Sequence, residues 1–271
     1  EGTLFIDNLI SFLKVESKIK SNTRSSLSVG YGKPHTIEFK NVSFKYPGSD
    51  KYVIDNVNLK FRPGETVVLV GLNGAGKTTL FRLMLDLLKA DSGSVCLDGI
   101  DVSQSEDWKL RVGAYMDESF LIDYLTPEEY FQFCGHIYGF DAATLHERIH
   151  RYERFLGNEI LTEKKYIRNL SAGNKQKMGI VTALLHNPEL VILDEPFNFL
   201  DPTSQSLLKH LLQHYYEEHK ATILVSSHNL SHTVDLSTRI VLLEQGHLLR
   251  DLDNADGAAG KELEDYFEVK E

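Results

Sequence analysis

Gly71-Leu72-Asn73-Gly74-Ala75-Gly76-Lys77-Thr78-Thr79 fits the phosphate-binding pattern G-x-x-x-x-G-K-[ST] without a mismatch. Before it, Thr66-Val67-Val68-Leu69-Val70 is a short β-branched run that reads as a buried strand. After it, Leu80, Phe81, Leu83, Met84, Leu87 and Leu88 recur at helical spacing. The loop thus lies between a strand and a helix, where the pattern has to lie to work. Glycines lack a Cβ, so successive backbone N–H groups can turn inward around an anion. The helix opening near Gly76 adds unpaired N–H groups and the positive end of its dipole. Asn73, Gly74, Ala75, Gly76 and Thr79 belong to this cradle. Lys77 reaches the terminal phosphates, and the Thr78 hydroxyl ligates Mg²⁺. The ligand implied is a nucleoside triphosphate.

A second constellation follows downstream. Leu190-Val191-Ile192-Leu193-Asp194-Glu195-Pro196 is an apolar strand that ends in two carboxylates. Beside the phosphate loop, Asp194 is a hard oxygen ligand for Mg²⁺. Glu195 projects differently and is placed to orient or deprotonate an attacking water. Two adjacent carboxylates on a buried strand are costly unless a cation or a reaction uses them.

The remaining pattern suits one large α/β domain of 271 residues with a smaller inserted lobe. Residues 1–35 read as an amphipathic helix over 1–20 followed by a Ser- and Gly-rich linker. From Thr36, period-two runs giving one or two strands with a polar break at Asn41, and a turn at Pro47-Gly48-Ser49-Asp50, predict an antiparallel β layer. Val112 to Met116 is a further strand. Residues 127–168 are expected to be helical throughout, within a lobe spanning 117–169. The strands 190–194 and 222–226, then Arg239 to Leu243 with a Gln245-Gly246 hairpin, return to the core. Apolar strands alternating with helices imply a parallel sheet covered on both faces. The core is assigned to 36–116 and 170–250, and 251–271 to a tail with a short helix near 262–267.

Composition narrows the function classes. Hydrophobic content of 42% and charged content of 25% are ordinary for a globular chain. A net charge of −10 argues against a broad nucleic-acid surface, so no nucleic acid is expected as partner. Cys96 and Cys134 lack metal-ligand spacing and read as buried thiols in a reducing compartment. No apolar run approaches the roughly 18 residues needed to span a bilayer. Glu1 in place of Met suggests a processed or excised fragment. His146-Glu147-Arg148-Ile149-His150 matches the zinc-protease pattern H-E-x-x-H, but it lies in the lobe, away from the strand ends.

With the two motifs placed, roughly residues 36–250 resemble the nucleotide-binding domain of ATP-binding cassette (ABC) transporters. Tyr46 lies 25 positions before Gly71, where the family has an aromatic that stacks on adenine. Leu170-Ser171-Ala172-Gly173-Asn174 is similar to the family signature Leu-Ser-Gly-Gly-Gln. Leu200-Asp201 resembles the loop after the catalytic Glu, and His228 the switch histidine. The resemblance implies a P-loop NTPase core with a mostly parallel sheet, an antiparallel β layer and an inserted helical lobe. It also implies ATP and Mg²⁺ as cofactors, hydrolysis by Glu195, His228 and Lys77, and a head-to-tail dimer. In that dimer Ser171 and Gly173, at a helix start, serve the partner's γ-phosphate. A transmembrane domain or subunit and a homodimer or heterodimer of cassettes are the implied partners, at the cytoplasmic face of the cell membrane. Segment 1–20 resembles the connection in exporters with fused membrane domains, which makes export the expected direction. The lobe and Leu170 to Lys177 look more like separate-chain subunits. The alternatives are a non-transport ABC ATPase or a low-turnover regulatory module.

The sequence departs from the family at two places. Counted from Lys77, the slot where the family has Gln is Asp117, a Mg²⁺ ligand with more charge. It would add a third acid near Asp194 and Glu195 and raise their repulsion until Mg²⁺ binds. Ala172 and Asn174 replace the signature's first Gly and its Gln, but Ser171 and Gly173 remain.

Overall fold

The structure is a computed structural model describing residues 35–162, 164–228 and 234–254, with 257, 259 and 263. The amphipathic segment expected over 1–20, the linker after it and the tail helix near 262–267 (Leu263 apart) lie outside the described residues.

The described strands form two sheets. β1 (Ile37–Phe44), β2 (Ile54–Phe61), β4 (Ser92–Leu97) and β5 (Ile100–Asp101) make an antiparallel sheet in the order β2-β1-β4-β5. β3 (Thr66–Val70), β6 (Val112–Tyr115), β7 (Leu190–Leu193), β8 (Thr222–Ser227), β9 (Arg239–Glu244) and β10 (His247–Asp253) make the second, in the order β10-β9-β3-β8-β7-β6. Its strands are parallel except β10, which pairs antiparallel with β9 at the edge. Side chains alternate across a strand, so each parallel strand serves two cores. Val67, Leu69, Ile192, Leu224 and Val241 pack with Phe39 and Phe61 of the antiparallel sheet and with the buried face of α1 (Lys77–Met84). Val68, Val70, Val191, Leu193, Ile223 and Val225 pack against helices on the other side. Burial on both faces is why these strands read as apolar runs.

Two local expectations need correction. The segment 127–168 is not one helical stretch. It holds α2 (Pro127–Ile137), α3 (Ala142–His150), α4 (Glu153–Leu156) and α5 (Asn158–Thr162). Gly139 at φ 73° and Gly157 at φ 76° take positive-φ backbone that favours glycine, where α2 and α4 end. β1 is a single strand, within the one or two expected. Asn41 stays within it at φ 50° and shifts the register against β4. The helix after the phosphate loop ends at Met84, and Asp86 turns the chain at φ 56°. The helical segments join the core through stacked Tyr138 and His186 rings, 4.1 Å apart. Burial there pushes the His186 imidazole down to about 4.

His35, just before β1, ties the two sheets together. It is 2% exposed. Its Nδ1 lies 2.5 Å from Asp98 Oδ2, in the turn after β4, and its Nε2 meets the Glu189 carboxylate at the entry to β7. His35→Ala would leave both carboxylates without this partner. A loss of about 2–3 kcal/mol is expected, read as a lower urea midpoint with an unchanged slope.

Candidate functional site

The phosphate loop is held by what surrounds it. A Cβ on Gly71 would stand 2.4 Å from the Leu243 carbonyl oxygen, and one on Gly76 2.8 Å from that of Val53. The loop is thus wedged between β9 and the chain entering β2, and no larger residue fits at either end. Gly74, at φ 83°, has open space where its Cβ would be. Gly76 starts α1 without a side-chain cap, so the first amides of the helix are left for a ligand. Lys77 is buried, and its Nζ donates to Gly71 O at 2.6 Å and to Leu72 O at 3.4 Å. The Tyr46 hydroxyl lies 3.2 Å from Thr79 Oγ1, which brings the ring to the start of α1.

Parallel pairing of β6, β7 and β8 delivers the acids. Asp194 follows β7 and is 6% exposed. Thr78 Oγ1 donates to its Oδ2 at 2.6 Å, and Ser226 Oγ to its Oδ1 at 2.5 Å. Burial raises the Asp194 pKa, against the lowering effect of those two hydroxyls. A carboxylate buried with two hydroxyl donors beside a lysine and free helix amides is a donor set that fits Mg²⁺ and phosphate together.

Glu195 sits at φ 47°, in the left-handed region, a strained placement for a non-glycine residue. Its amide donates to Ser226 Oγ at 2.8 Å, and Gln176 Nε2 approaches its carbonyl at 3.4 Å. Its carboxylate spans two cations or potential cations. Oε1 lies 3.3 Å from Lys77 Nζ, and Oε2 lies 2.9 Å from His228 Nδ1. The His228 amide also donates to Oε2 at 3.3 Å.

Other expected site residues lie apart from this network. Asp201 caps α7 (Pro202–His219), accepting from Ser204 N at 3.0 Å and Ser204 Oγ at 2.5 Å. Those bonds hold its carboxyl below the usual range. Ser171 caps α6 (Ala172–Leu184) through Asn174 N at 3.2 Å. A Cβ on Gly173 would stand 2.7 Å from Phe199 O, so glycine lets this helix start pack against the loop after Glu195. Neither Ser171 nor Asp201 bonds to Lys77, Thr78, Asp194 or Glu195. The Asp117 carboxylate is engaged by Ser119 and Arg82. On α3, the His146 and His150 rings lie parallel with centroids 6.3 Å apart, and His150 pairs with Glu153 at 2.7 Å. Among the described residues no cluster of three or more His, Cys, Asp or Glu is arranged for a metal. The zinc-protease motif therefore has no support.

Sequence reading missed Ser226, Gln176 and Arg82. Ser226 left a faint signal, a hydroxyl in an otherwise apolar strand. Gln176 and Arg82 left none, since each acts on a partner distant in sequence.

Among known families, the one described as ABC transporter matches residues 54–198. The ABC transporter ATP-binding protein NatA of Bacillus subtilis is 32% identical over 198 residues, covering 72% of this chain and 80% of the relative. The energy-coupling factor transporter ATP-binding protein EcfA1 of Thermotoga maritima is 37% identical over 203 residues, 74% of this chain and 75% of that one. Among solved structures, the dimeric bacterial ABC transporter cassette MJ0796 superposes with a TM-score of 0.71 at 25% identity, covering 80% of this chain and 98% of that one. The phosphate loop, the paired acids after β7 and these likenesses agree, and the chain belongs to the ABC transporter family as an ATP-binding component.

Proposed function

We propose that this chain hydrolyses ATP as one of a pair of cassettes that close around two Mg-ATP and drive solute movement through a membrane partner. The observation that carries this reading is Glu195, held between Lys77 and His228 at the mouth of the phosphate loop. Lys77 and the first amides of α1 bind and orient the triphosphate. Tyr46, hydrogen-bonded to Thr79, offers its ring to the base. Glu195 takes the proton of the attacking water, and His228 holds that carboxylate in place. Mg²⁺, when bound, supplies charge neutralisation on the phosphates. Thr78 and Asp194, with Asp117 from the neighbouring strand end, are the residues that would hold it.

The second cassette, a homodimer or heterodimer partner, would be served by the start of α6. Ser171 caps only Asn174, and the relative MJ0796 is described as dimeric. Gly173 and Asp201 belong to the same proposed seam. The membrane partner places the pair at the cytoplasmic face of the membrane. Among the described residues no helix is long and apolar enough to cross it. Relatives are named for methionine import, zinc import and bacitracin transport, so the expected export direction gains no support from them. The inserted lobe is proposed as 117–169, and β10 carries the core past residue 250 to Asp253.

Ser171→Glu tests the shared seam. It should leave nucleotide binding at Lys77 within about twofold, since the two lie in separate hydrogen-bond networks. The parent chain is expected to double its mass by light scattering with saturating ATP, and the substitution should abolish that doubling. Doubling that persisted in Ser171→Glu would remove α6 from the seam.

A further inference from the structure

Asp194 and Asp117 leave the sheet side by side. Tyr115 of β6 pairs with Leu193 of β7, and Asp194 N donates to Tyr115 O at 2.9 Å. Both acids are then fastened by the same helix. Thr78 of α1 donates to Asp194. Arg82, four residues on and therefore on the same face of α1, places its Nη2 3.5 Å from Asp117 Oδ2. The other oxygen, Asp117 Oδ1, accepts from the Ser119 amide at 2.8 Å and from the Ser119 hydroxyl. Both Asp117 oxygens are therefore committed to partners within the protein.

We propose that Arg82 is a positioning residue that holds Asp117 in reserve, so that Asp117 engages the divalent cation only by releasing Arg82. This inference rests on the ATPase reading above. Its physical basis is charge balance. Without Arg82, the Asp117 carboxylate keeps an unbalanced negative charge one strand over from Asp194, and the site would attract a divalent ion more strongly even when no phosphate is there to share it. With Arg82, the Arg82–Asp117 pair is net neutral. Arg82 sits on the same helix that begins the phosphate cradle, so the restraint on Asp117 and the phosphate site share one element. Both side chains are partly exposed, so the restraint is a modest one.

The test uses the full chain, a non-hydrolysable ATP analogue and Mn²⁺ as the metal probe, with free Mn²⁺ followed by electron spin resonance. Arg82→Gln should lower the Mn²⁺ dissociation constant about fivefold relative to the parent chain. Arg82→Lys, which keeps the charge, should stay within about twofold. In an Asp117→Asn background, Arg82→Gln should shift Mn²⁺ affinity by less than about twofold, because the partner it released is gone. An unchanged or weaker Mn²⁺ affinity in Arg82→Gln overturns the proposal, as does the same fivefold gain with and without Asp117. A parent chain that bound no Mn²⁺–nucleotide would overturn the ATPase reading and this inference together. A parent chain that bound it, with Arg82→Gln showing no gain, would overturn this inference alone.

Discussion

Glu195→Gln is expected to bind ATP as the parent chain does and to lose nearly all turnover, by a factor of about 10²–10⁴. Gln keeps the shape of Glu, and its side-chain oxygen can still accept from Lys77 or His228. The backbone tie from residue 195 to Ser226 is also untouched. What disappears is the group that can accept a proton. The phosphate loop, which carries affinity, does not use the Glu195 side chain except through Lys77. Binding and chemistry should therefore separate cleanly. A fluorescent ATP analogue should titrate both proteins within a fewfold, and phosphate release in a single turnover should separate them by orders of magnitude. The paired, nucleotide-loaded form should also accumulate, since hydrolysis is the step that opens it. Phosphate release at the parent rate would remove Glu195 from the role of base.

Lys77→Ala is expected to act one step earlier, on affinity. Lys77 is the buried cation of the loop, and it bridges the Gly71 carbonyl and Glu195. Its ammonium is the group that would turn to the terminal phosphates. Charge-assisted hydrogen bonds of this kind contribute about 1.5–3 kcal/mol each. A loss of roughly 100-fold in ATP affinity follows for two such bonds at the lower value. Turnover should fall in proportion or further. Lys77→Arg should rescue little, because a planar guanidinium does not fit where a compact ammonium reaches two carbonyls of a tight loop. ATP affinity retained in Lys77→Ala would mean that the triphosphate binds elsewhere. The two variants give opposite patterns, one binding without turnover and the other failing to bind, so each checks the other.

The parts legible in the sequence were those whose physics is local. A phosphate loop is one strand end, one glycine-rich turn and one helix start, contiguous from Thr66 to Met84. Asp194 and Glu195 were legible because they end an apolar run. Ser171 could be seen as a helix start, because a cap and the amide it serves are three residues apart. The helical segment after residue 127 was legible in kind but not in its breaks. Gly139 and Gly157 interrupt it through backbone conformation, which leaves the apolar spacing on either side intact.

By itself, then, the sequence determined that this protein is an α/β chain of the ABC ATP-binding kind and which residues build its phosphate loop, because those residues are neighbours along the backbone. Tertiary structure alone decided the company they keep. His228 reaches Glu195 across 33 residues, Ser226 reaches Asp194 across 32, and the start of α1 reaches β7 through Thr78 and Asp194. Strand order β3-β8-β7-β6 creates those meetings. It is set by how the whole chain buries its two cores, and no short stretch of sequence carries that information.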